Sequence, residues 1–199
     1  MSTDHVTRRA ILKSLSMGAV AGSVLRVIPL DAAEHAHGMI EAEKAGALSG
    51  AYTPKFFDLH AYKTLQTLCE TILPADADSG GAIEAGAPEF IDLLTSENAD
   101  YQASLGGGIK WLDATCTSRY GKAWLECTLP QQTEILDLIA FRKNAVQDES
   151  LKQGVAFFAH LRNFTADGFF TSKIGIKYLG YKGNTFLMEF PGCPPVPGT

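Results

Sequence analysis

The sequence predicts an all-α fold: a single compact domain of about five helices followed by an irregular C-terminal arm rich in Gly, Pro and aromatic residues. Three observations carry this. Apolar residues recur at helical spacing in two long stretches, Phe57 to Ile72 and Tyr101 to Cys116. A helix start with cap, proline and capping-box glutamine is written out in "TLPQQTEIL". No run alternates between apolar and polar residues as a half-buried strand would.

Residues 1–33 read as an export signal. The stretch "TRRAILK" pairs Arg8 with Arg9 ahead of a short apolar run, the pattern of a twin-arginine leader. The apolar core from Leu15 to Leu25 falls short of the ~20 residues that a membrane-spanning helix needs, and Arg26 interrupts it. The stretch "DAAEHAHG" offers Ala33 and Ala36 as small residues for cleavage without a clean A-x-A. Such a leader predicts periplasmic localisation. Residues 34–54 are small and polar without a sustained period and read as a linker. His35 and His37 in this stretch read as a solvated pair rather than metal ligands, since no third ligand lies nearby.

The helical domain is expected over residues 55–170. Phe57, Ala61, Leu65, Leu68 and Ile72 form one helical face. "LPADADSGGAIEAG" stops that helix, and the Asp76–Asp78 pair in this Gly-rich loop reads as solvated. A short helix follows with Pro88 in its first turn and Phe90, Ile91 and Leu94 on its apolar side. The period from Tyr101 through Leu105, Ile109 and Leu112 to Cys116 runs across Gly106, Gly107 and Gly108. Each glycine costs about 1 kcal/mol in a helix interior. Either the helix breaks there or another segment packs closely on it. Thr128, Pro130 and Gln131 start the next helix. The last helix spans about 150–170 and is apolar on more than one side, which predicts a central position or a covering partner.

Residues 171–199 lose the helical period and form the arm. Its aromatics are Tyr178, Tyr181, Phe186 and Phe190. The composition leaves two readings open: an extension folded back on its own domain, or a docking arm for a partner.

The chain of 199 residues has a formal net charge of −5; residues 1–33 contribute +2, so the remainder carries −7. An acidic chain without a basic patch excludes nucleic acid as a partner. The four cysteines make no C-x-x-C, which removes thioredoxin-like and zinc-ribbon spacing. In an oxidising compartment the eleven-residue spacing of Cys116 and Cys127 across a helix–turn–helix admits a disulfide. Cys69 reads as a buried free thiol. Cys193, in "FPGCPP", sits where an arm pressed on a partner would present it for an intersubunit bond. No catalytic or metal-binding motif is present: His60 and His160 lie singly within helices, and neither G-x-S-x-G nor a phosphate-binding glycine loop occurs.

Taken in order, "TRRAILK", "LQTLCETILPADADSGGAIEAG", "TLPQQTEILDLI" and "FFAHLRNFTADGFFTSKIGIKYLGYKGNTF" resemble the gluconate 2-dehydrogenase subunit 3 family, the small subunits of membrane-associated flavin sugar dehydrogenases. The resemblance covers the chain from about residue 53. It implies a subunit with no catalytic residues of its own. The implied partner is a large FAD-binding flavoprotein of the glucose-methanol-choline class that oxidises a sugar or sugar acid. A c-type cytochrome subunit often accepts the electrons. The small subunit supplies the twin-arginine signal, so that the folded pair crosses together. On this resemblance the arm becomes a docking surface, with Phe169, Phe170, Tyr178, Tyr181, Phe186, Phe190 and Cys193 as partner-binding candidates. The competing expectation is a free-standing exported helical binding protein or small metalloprotein.

Overall fold

The structure, a computed structural model, describes residues 28–48 and 50–183. Among these residues there are eight α-helices and no strand. Arg8, Arg9, Phe186, Phe190 and Cys193 lie outside the described residues.

The first helix is one that the sequence reading missed. α1, Leu30–Gly46, occupies most of the expected linker and the end of the expected signal. Ala32, Ala33, Ala36 and Ile40 form its buried stripe. Three of these four are alanines, whose small apolar area gives a weak amphipathic signal even when the packing behind it is close. The helix leans on the later helix Ala87–Ser96.

α2, Leu59–Ile72, begins where Asp58 accepts a hydrogen bond from the Ala61 amide at 2.8 Å. It buries Thr64, Leu65, Leu68 and Cys69, with Phe57 packed just before it. The loop that follows turns on Asp76, whose Oδ1 accepts from the amides of Asp78 and Ser79, each at 2.8 Å. That carboxylate shapes its own loop. Gly86 then adopts φ +77°, a left-handed conformation, to lead into α3. α3, Ala87–Ser96, carries Pro88 in its first turn and is buried along nearly its whole length.

Asp92 on α3 is fully buried. Its oxygens accept from the Tyr52 hydroxyl at 2.8 Å and from the amides of Lys55, Phe56 and Phe57 at 2.6, 3.1 and 3.0 Å. Four donors fix the segment that crosses from α1 to α2 and satisfy a charge that burial would otherwise make costly.

Of the two expectations for the glycine-rich stretch, the close approach holds, and the helix widens without breaking. A helical turn at Ala99–Tyr101, capped by Asn98, passes into a π-helical stretch, Gln102–Gly106, before α4, Gly107–Tyr120, resumes α geometry. The close approach comes from the last long helix. A Cβ on Gly108 would fall inside the Phe157 ring, and one on Gly154 would fall inside the Trp111 ring. Two glycines thus let two helices approach face to face, each receiving an aromatic ring from the other.

α5, Leu129–Ala140, starts at the expected capping box, with Gln131 accepting from the Thr128 amide at 3.0 Å. α6, Arg142–Gln147, is short. α7, Lys152–Phe170, is the central helix and packs on α2 to α6. Its buried residues include Val155, Phe157, Leu161, Phe164 and Phe169, which explains its apolar character on several sides.

The arm does not begin irregularly. α8, Lys173–Tyr178, follows α7 after a tight corner at which the Ser172 hydroxyl accepts from the Gly175 amide at 3.1 Å. Gly175 lies against the Phe169 carbonyl, leaving no room for a side chain. This helix is too short to show a period, so capping rather than spacing defines it.

Candidate functional site

α1, the turn at residues 84–86 and the segment from Thr171 to Gly183 enclose an open groove of about 740 Å³. Leu30 lines one part of it and Gly183 another. The groove therefore lies at the start of α1 and at the root of the arm.

His37 joins the sides of the groove. Its ring stacks on Phe90 of α3 with centroids 5.0 Å apart and an interplanar angle of 18°. Its Nε2 lies 3.0 Å from Thr171 Oγ1. The Thr171 hydroxyl gives its own proton to the Asp167 carbonyl at 2.6 Å. Toward His37 it therefore acts as acceptor, and Nε2 carries the donated proton. Burial pushes the imidazole below its ordinary pKa, against the opposing pull of Glu41 and Glu89. The linker histidine of the sequence reading is thus a packed, neutral hinge-pin, while His35 remains exposed.

Ion pairs close the same seam. Lys44 Nζ meets Glu89 Oε1 at 2.8 Å where the carboxylate is nearly covered, so this pair ties α1 to α3. Lys173 meets Glu41 at 2.8 Å in the open. That contact holds the Glu41 carboxyl below its ordinary range but contributes little to stability, because water screens both groups.

Beside the groove the root of the arm exposes aromatic surface. Phe170, Tyr178 and Tyr181 are 37%, 53% and 47% exposed, and Leu179 stands out with them. Phe169 is different. It is buried in the core, edge-on to Phe170 at 5.0 Å and to Tyr178 at 6.5 Å. It supports the patch from beneath and has no surface to offer a partner.

Cys116 and Cys127 are close neighbours, as their spacing allows, and both are buried free thiols. Burial, then the adjacent Cys127, pushes the Cys116 thiol up to about 12. Cys69, also free and buried, receives a hydrogen bond from Thr165 at 3.5 Å. His60 pairs with Asp113 at 2.8 Å, and Asp113 also accepts from the Trp124 amide at 3.0 Å, so both brace α4. No cluster of three metal-ligating side chains occurs among the described residues. No helix among them is long and apolar enough to cross a membrane.

The family description Gluconate 2-dehydrogenase subunit 3 matches residues 60–192, more than half of the chain. The chain belongs to the gluconate 2-dehydrogenase subunit 3 family. Comparison with curated proteins and comparison with solved structures give no match. The family is named for one subunit of a dehydrogenase complex, which implies partner subunits. The matched stretch runs from α2 into the arm and so contains the aromatic patch; α1 and His37 precede it.

The sequence reading found the exposed aromatics but not what supports them. His37, Thr171 and Asp92 carry no motif. Asp92 in "FIDLL" reads equally as the solvent face of an amphipathic helix, and only its four donors show it to be a buried anchor.

Proposed function

We propose that this chain is the non-catalytic small subunit of a periplasmic FAD-dependent sugar or sugar-acid dehydrogenase. It supplies the twin-arginine signal through Arg8 and Arg9 and carries the folded large flavoprotein across with it. The FAD lies in that flavoprotein. A c-type cytochrome is a further partner for the electrons. The observation that carries this reading is the cluster of exposed Phe170, Tyr178, Leu179 and Tyr181 beside the groove, within the region matched to a family of complex subunits. Aromatic residues gathered at a helix–loop junction are the composition of a binding surface, where a few anchors carry most of the energy.

The test asks whether the neighbouring reading frame encodes a flavin oxidoreductase without an export signal of its own, and co-expresses the two chains. The complex should co-purify with FAD bound to the larger chain. Tyr178→Ala and Tyr181→Ala should each weaken association by about 2 kcal/mol if they are anchors. Lysine at both Arg8 and Arg9 should hold both chains in the cytoplasm. A flavoprotein that reaches the periplasm at normal levels with that variant overturns the export role.

A further inference from the structure

We infer that the folded chain is not processed within α1: Ala33 and Ala36 are closed to a signal peptidase. This rests on the twin-arginine reading of residues 7–13.

A peptidase binds its substrate as an extended strand, so a cut at Ala33 or Ala36 requires several residues on either side to leave helical geometry. Those residues lie within one continuous helix, Leu30–Gly46. Ala33 is 0% exposed and Ala36 5%, both packed toward α3 with Ala32 and Ile40.

Opening the helix locally would also break its ties. His37, one residue beyond Ala36, would leave Phe90 and Thr171. These contacts tie α1 to α3 and to the root of the arm. The order of events adds to this. A route that carries folded protein delivers α1 already packed, whereas an unfolded substrate would present the same alanines freely.

Cutting after Ala36 would also remove Leu30 and Glu34 from the groove wall and place a new α-ammonium on His37 itself.

Two measurements decide it. The first is the N-terminus of the exported chain, by intact mass and N-terminal sequencing. It should begin ahead of α1; a chain beginning at Glu34 or His37 overturns the inference. The second uses Glu34→Ala, an exposed position where alanine favours the helix and completes small residues three and one before a cut at Ala36. A synthetic peptide of residues 10–46 with this substitution and the folded full chain with the same substitution are each incubated with purified signal peptidase in detergent. The peptide should be cut after Ala36 and the folded chain at least a hundredfold more slowly. Comparable rates overturn the inference. If the wild-type chain stays in the cytoplasm, the export reading fails, and the two in vitro rates still decide whether α1 is closed.

Discussion

Thr171 Oγ1 lies 3.0 Å from His37 Nε2, joining residues 134 positions apart across the groove. The contact ties α1 to the corner from which the arm departs. Replacing His37 by Ala removes this bond and the stack on Phe90. The loss should be about 1–3 kcal/mol in urea denaturation. A double-mutant cycle with Thr171→Val should show a coupling of about 0.5–1.5 kcal/mol. Strict additivity of the two changes would show that the contact carries no energy.

Acidity should loosen this seam and ease another site. His37 is held below the ordinary 6.5 by burial, so the unfolded chain binds its proton first as pH falls. Stability from His37 is therefore present above pH 6.5 and is lost as pH falls toward the depressed folded value. Asp167 runs the other way, because burial raises its carboxyl to about 6. The folded chain binds that proton more readily, so its contribution to stability rises as pH falls from about 6 to about 4. Asp167→Asn should raise the urea midpoint at pH 7.5 and leave it unchanged at pH 4. His37→Gln should cost less at pH 5.5 than at pH 7.5.

Asp92 is a second anchor to test. With four donors on one buried carboxylate, Asp92→Asn turns a donor group onto donors and should cost about 3 kcal/mol or more. Tyr52→Phe removes one of the four and should cost about 1 kcal/mol. Equal losses for the two variants would contradict a shared clamp.

The glycines on α4 give opposite expectations from one substitution. Gly107→Ala meets only Gln153 Nε2, at 3.6 Å, and should stabilise by up to about 1 kcal/mol. Gly108→Ala collides with Phe157, and the overpacking should outweigh the helix gain, for a net loss of about 1–3 kcal/mol. Thermal midpoints moving the same way for both would refute the packing described for α4 and α7.

Thiol accessibility offers a further check. Cys69, Cys116 and Cys127 are all buried, and the first two are pushed up to about 12. The folded chain should keep them as thiols, since thiolate and access are both needed for exchange. Mass spectrometry after alkylation at pH 8 should find all three unmodified in the native protein and modified after unfolding. A Cys116–Cys127 disulfide in non-reducing peptide maps would show that the pair oxidises after all.

Much of the fold was legible because its signals are local. The α2 face, the proline start of α3, the capping box of α5 and the apolar α7 each depend on residues within a few turns of one another. Helical spacing and cap chemistry act over that range, so sequence alone determined an all-α domain and, by order of motifs, its family. The glycine triplet was legible as a choice between a break and a close approach; the ring of Phe157 decided for the second, and the helix continues through a π-helical turn.

The groove was decided only by tertiary structure. α1 carries a stripe of alanines whose small apolar area gives a weak amphipathic signal, and it becomes a buried face only because α3 packs against it. The same holds for His37, an ordinary histidine in a polar stretch until folding brings Phe90 and Thr171 to it. Phe169 and Phe170 are identical neighbours in sequence, yet one is core and the other surface. Consecutive helical residues point about 100° apart, and what each direction meets is set by packing partners far away in the chain.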